Sequence, residues 1–153
     1  MQPVLDRVDP HAGGIAAARP VMLATLSSRL DPEAERLAID SALDAGVPLI
    51  VVNAVAAAYS PRTLHLGALD PSREDYDAVR ATAERAAALG IRVQHLRVTT
   101  PRPAKAIVQV ANERGAGLLV LGPKRGRVPR RRFRRAAREV KRHAACLVWI
   151  AGD

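Results

Sequence analysis

Aromatic residues are nearly absent from this chain. They make up 3% of 153 residues, as two Tyr, one Phe and one Trp. A surface that stacks successive nucleobases cannot be assembled from so few rings. Cysteine is scarcer still. With Cys146 alone no internal disulfide can form, and its place in an apolar run marks a small packed hydrophobe rather than a reactive thiol. One thiol without a secretory signal suits a reducing cytoplasm. Long apolar runs are missing too. The longest, residues 47–58, is well short of the ~20 residues that span a bilayer. Acids are missing from one place in particular. Between positions 124 and 142 eleven Lys or Arg stand against one acid, Glu139, a local charge of +10. The whole chain carries +9, so everything else sums to −1. This is a near-neutral protein with one basic element, which concentrates anion attraction in one place.

What is present is a rhythm of apolar runs and helix starts. The length fits one domain with a real core. Residues 1–19 hold Pro3, Pro10, Gly13 and Gly14 without a period and read as an N-terminal tail, leaving residues 20–153 as the domain. VMLATL (residues 21–26) reads as a strand. Asp31, Pro32 and Glu33 then supply the cap, the first-turn proline and the early acid of a helix that Gly46 ends. PLIVVNAV (48–55) is a second strand. A loop over 57–69 follows, and Asp70 and Pro71 repeat the helix-start chemistry for a helix ending at Gly90. IRVQHLRV (91–98) alternates apolar with polar and predicts a strand with one wetter face, as at a sheet edge. Pro103 opens a third helix, stopped by Gly115. LLVLG (118–122), a fourth helix and CLVWI (146–150) complete the series. Strands separated by helices, with apolar runs that scarcely alternate, predict a five-stranded doubly wound parallel α/β sheet with helices on both faces.

Catalytic groups do not assemble in the sequence. His11, His65, His95 and His143 are scattered and lack metal-ligand spacing. Ser27 and Ser28 follow the first strand without an identifiable His or Asp partner, and read as turn or ligand contacts. The reading is therefore a binding or regulatory protein rather than an enzyme, with no catalytic residue and no metal.

The basic stretch GPKRGRVPRRRFRRAAREVKRH (122–143) carries the functional question. Phe133, Ala136, Ala137, Val140 and Ala144 recur at helical spacing and form a stripe for the sheet. Arg131, Arg134, Arg135, Arg138 and Arg142 fall largely on the remaining face. A solvated helix face accounts for them, but arginines four apart repel one another unless acids intervene. An anionic partner is the alternative. The charge suits phosphate contacts, while the lack of interleaved aromatics and of a helix-turn-helix weighs against nucleic acid.

LLVLG, the glycine-bearing loop and VKRHAACLVWI together resemble the universal stress protein family, and the resemblance extends from about Pro20 to Ala151. Arg142-His143-Ala144-Ala145-Cys146 is similar to that family's Arg-His-Ala-Pro-Cys run. The resemblance implies strand order 3-2-1-4-5, a role in stress response, and a homodimer through the last strand, here with Leu147 and Trp149. It also implies a ligand, ATP or another adenine nucleotide, beyond the strand ends where the sheet's winding reverses. No cofactor is required by this reading. Nucleotide-binding members carry G-2x-G-9x-G-[ST]. Gly122 matches the first glycine and Gly126 falls one place late, while Arg134-Arg135 stands where Gly-Ser is expected. Leu26 and Gly117 replace two acids of the family pattern. Pro123 and Pro129 offer no N–H to a phosphate, whereas arginine binds one through its guanidinium fork. The expected anion site is Gly122, Lys124, Arg125, Gly126, Arg127, Arg134 and Arg135, with Leu26, Ser27 and Val55 on the adenine side. The alternative is an interaction module that docks its fourth helix on a polyanion or an acidic protein.

Overall fold

The computed structural model describes residues 18–57 and 73–152. The chain runs β1 (Val21–Leu26), α1 (Pro32–Ala45), β2 (Leu49–Ala56), α2 (Arg73–Ala88), β3 (Val93–Thr100), α3 (Pro103–Glu113), β4 (Leu118–Leu121), α4 (Arg130–His143) and β5 (Leu147–Ile150). The five strands form one sheet in the order β3-β2-β1-β4-β5, and every pairing is parallel. This is the doubly wound α/β architecture that the alternation of runs predicts.

Local chemistry sets most element ends. The Asp31 carboxylate accepts from the Glu33 N–H at 2.9 Å, and Gly46 closes α1 in the left-handed conformation at φ 65°. The cap expected at Asp70 lies outside the described residues. β3 starts at Val93 and continues to Thr100, two residues later at each end than its alternation suggests. Its ladder with β2 extends to Ala56↔Thr100, so pairing rather than pattern decides its length. It is an edge strand, mostly half-buried, in keeping with its wetter face.

Each sheet face buries its own helix pair. Ala34, Ala38 and Ala42 of α1, with Val79, Ala83 and Ala86 of α2, cover Leu23, Leu49 and Val51. Ile107, Val108 and Ala111 of α3, with Ala136 and Val140 of α4, cover Met22, Val52 and Leu121 on the other. Phe133, Ala137 and Ala144 pack against that second core, so the apolar stripe of α4 faces the sheet as its spacing requires. Cys146 packs there too, and burial pushes its thiol up from its ordinary value. Among the described residues no helix is long and apolar enough to cross a membrane.

Candidate functional site

The strand ends at the reversal of winding are sealed rather than open. β1 and β4 are neighbours, and the segment leaving β4 is laced onto the segment leaving β1. Gly122 donates its N–H to Ala24 O and accepts from the Asp31 N–H, both at 2.9 Å. Lys124 donates to Arg29 O at 2.9 Å, and Leu30 bridges Pro123. The backbone donors of Gly122 and Lys124 are thus already used. Gly126, at φ 81°, makes the turn in which the Arg127 N–H reaches Lys124 O at 3.2 Å. Arg125 folds back and donates to Gly152 O at 2.9 Å.

The open space lies one strand over, between α3 and α4. A cleft of about 1180 Å³ opens at the ends of β1 and β2. Leu26, Ala56, Ala57, Val108 and Ala136 supply its apolar surface, and Ser27, Gln109 and Asn112 add polar groups. Its charged rim holds Arg102 and Lys105 at the start of α3, and Arg132, Arg135 and Glu139 on α4. Four cations against one acid make it an anion-attracting concavity. Asn112 fastens the end of the cleft nearest the C-termini of α3 and α4. Its amide donates to His143 O at 3.3 Å and accepts from the Ala145 N–H at 3.0 Å, which ties α3 to the end of α4.

Three expected positions line this cleft: Leu26, Ser27 and Arg135. Gly122, Lys124, Arg125, Gly126 and Arg127 lie along the laced loop, and Arg134 is solvent-exposed on α4 away from the cleft. Val55 shares the parity of Val51 and so belongs to the α1/α2 face, while its neighbours Ala56 and Ala57 line the cleft. Arg102, Lys105 and Arg132 were not singled out in the sequence. A signal for part of the wall was present: Arg132, Arg135, Glu139 and His143 fall at i, i+3, i+7 and i+11, one edge of a helix.

The two serines serve the backbone. Ser27 adopts φ 53°, a left-handed conformation unusual for a non-glycine residue. Its hydroxyl accepts from the Ala56 N–H at 3.0 Å, and its own N–H donates to Ala54 O at 3.0 Å. The β1 end is thereby pinned to β2. Ser28 is buried, donates to Arg29 O at 3.0 Å, and meets the Thr25 hydroxyl at 3.0 Å. His143 lies 3.8 Å from Glu139, and His11 and His65 lie outside the described residues. Among the described residues no group of three His, Cys, Asp or Glu could hold a metal.

A second polar group occupies the opposite face. Arg29 meets the buried Asp75 at 2.9 Å. Tyr76 stacks on His95 with ring centroids 5.7 Å apart, and the Arg97 guanidinium lies 4.8 Å from the Tyr76 ring centre. Burial, and then the nearby Arg80, hold the His95 pKa below its ordinary value, so its neutral form is favoured. Asn53 is fully buried here, and neither atom of its amide has a hydrogen-bond partner.

A parallel sheet wound in both directions, with a basic cleft beyond its strand ends, defines a doubly wound α/β protein. The sequence matches the Universal stress protein family over residues 17–152, and the chain belongs to that family. None of the curated proteins matches it. Among solved structures it is similar to a protein of the universal stress protein family from Burkholderia pseudomallei. That pair shares 23% identity over 90% of this chain and 99% of the other, with a TM-score of 0.62. A universal stress protein in complex with cAMP is also 23% identical over 88% of this chain and 98% of its own, at a TM-score of 0.57. The universal stress protein from Archaeoglobus fulgidus in complex with dAMP is 23% identical over 86% and 96%, at 0.56.

Proposed function

We propose that this universal stress protein binds an adenine nucleotide in the cleft between α3 and α4, as a regulatory module without catalysis of its own. The observation that carries the reading is the cleft itself, with four cationic side chains at the rim of an apolar pocket beyond the strand ends. The base would lie against Leu26, Ala56 and Val108, and the phosphates against Arg132 and Arg135, with Arg102 and Lys105 opposite. Side-chain cations replace the glycine cradle, because the loop that would supply backbone donors has spent that of Gly122 on β1 and that of Lys124 on the β1–α1 connection. Arginine suits this substitution, since its fork is always charged and matches phosphate geometry. Two family relatives of the same fold are in complex with cAMP and dAMP, which adds support. Titration calorimetry with AMP, ADP and ATP tests the proposal. Binding is expected, weakened more than tenfold by Arg132→Gln with Arg135→Gln, because hydrogen bonds to charged groups contribute about 1.5–3 kcal/mol each. No heat at millimolar nucleotide overturns it.

We also propose that two copies pair through β5. That strand is an edge of the sheet, Leu147 on it is 75% exposed, and the half-buried Trp149 lies on the same side as Leu147. Light scattering is expected to give twice the chain mass, and Leu147→Lys to return the monomer. A monomeric parent protein at micromolar concentration would contradict this.

A further inference from the structure

The arginines of α4 divide into two sets, and only one belongs to the cleft. Arg132 and Arg135 line it, on the same edge of the helix as Glu139 and His143. Arg131, Arg134, Arg138 and Arg142 are exposed and line no part of it. Their spacing of three, four and four residues places them in one row along the solvent side. Eleven residues of helix make that row about 16 Å long.

This row is held at a cost to the fold. Arg134 and Arg138, and Arg138 and Arg142, are like-charged pairs at i,i+4, each mildly destabilising. The first turn carries Arg130, Arg131 and Arg132 and no acid, which opposes the helix dipole. Glu139, the one acid of the helix, is turned to the cleft and lies 3.8 Å from His143. Among the described residues no carboxylate pairs with Arg131, Arg134, Arg138 or Arg142.

We infer that this face of α4 is a docking surface for the phosphate backbone of a double-stranded nucleic acid, read without regard to sequence. The surface is separate from the proposed nucleotide cleft. Charge density supports the partner: each strand of duplex DNA carries one phosphate per about 3.4 Å of axis, so a row of about 16 Å spans about five on one strand, enough for its four arginines. The chain's sequence pI of about 11.1 fits such a partner. The chemistry disfavours three rivals. A protein partner wants an aromatic or apolar anchor at the centre of its interface, and Phe133, Ala136, Ala137, Val140 and Ala144 are all committed to the sheet side. A lipid surface takes a helix by its apolar face, which here is the same buried stripe. A single strand needs rings for stacking. Phe133 packs on the core, while Tyr76 and Trp149 belong to the opposite sheet face.

The test is fluorescence anisotropy with a labelled 20-base-pair duplex of arbitrary sequence. Four phosphate contacts predict a slope of log K against log salt of about −3.6, hence about a hundredfold weaker binding at 200 mM than at 50 mM salt. A duplex of scrambled sequence is expected to bind within about twofold. Replacing Arg131, Arg134, Arg138 and Arg142 together by glutamine keeps helix propensity nearly unchanged. It is expected to lower affinity more than tenfold at 50 mM salt and to flatten the slope. Circular dichroism checks that the variant is folded, and Arg138→Gln alone is expected to lower the slope by about one phosphate's share. Unchanged duplex binding in the fourfold variant overturns the proposal. So does absent binding of the parent protein at 50 mM salt, or tighter binding to a single strand or to phosphatidylserine vesicles. Nucleotide calorimetry on the same variant separates the two surfaces, because none of the four residues lines the cleft.

Discussion

Gly122→Ala is expected to destabilise the protein by about 3 kcal/mol, at the upper end of what overpacking a filled core costs. The reason is contact. A Cβ at this position would lie 2.1 Å from the Cβ of Ala34, closer than any two such atoms can approach. Backbone strain is not involved, since Gly122 is not among the glycines with positive φ. Ala34 is fully buried at the start of the α1 stripe that includes Ala38 and Ala42, so neither helix nor strand can move aside cheaply. For a domain of this size the midpoint of thermal unfolding drops by about 9 °C. Adding Ala34→Gly removes the clash and is expected to recover part of the loss, reduced by glycine's penalty of about 1 kcal/mol within a helix. A midpoint within a degree of the parent protein would refute the packing account. In the family pattern Gly122 sits where a glycine would let backbone approach phosphate. In this chain it lets α1 approach β4.

Asn53→Val is expected to act in the opposite direction, raising stability by about 2 kcal/mol. Asn53 is 0% exposed in a central strand, and its amide oxygen and nitrogen both lack partners. A buried polar group left unpaired costs about 1–3 kcal/mol. Its neighbours across the ladder are Thr25 and Arg97. The Thr25 hydroxyl donates to Ser28 O at 2.8 Å, and the Arg97 guanidinium lies over the Tyr76 ring. Valine removes the unpaired dipole and suits the pleat of a buried strand. The expected rise in midpoint is about 6 °C. A fall instead would show that the amide is satisfied in solution, as by a buried water that valine would displace.

Architecture was legible because the signals for it are local. Asp31, Pro32 and Gly46 mark the ends of α1 through groups within a few residues of each other. The apolar runs mark buried parallel strands. Their exact extents were not, since β3 grows by pairing with β2 rather than by its own alternation. The cleft was legible in part. Arg135, Leu26 and Ser27 were named from sequence, while Arg102 and Lys105 come from the cap and first turn of α3, which nothing in its own sequence marks as the opposite wall. The glycine loop was legible as a position and not as a job. Whether its N–H groups remain free depends on β1 and the β1–α1 connection, whose carbonyls lie close only after the sheet has formed.

By itself the sequence determined a near-neutral α/β domain with one basic segment, no disulfide, no aromatic stacking surface and an apolar stripe on its last helix. Those properties follow from composition and from periods of two and 3.6 residues. Which arginines of that helix line the cleft and which lie outside it is set by how the helix docks. A helix has a fixed set of edges, but the neighbour packed against each edge is set by docking. α3 lies beside Arg132 and Arg135, so they line a cleft. Arg131, Arg134, Arg138 and Arg142 have no such neighbour, so their charge faces solvent.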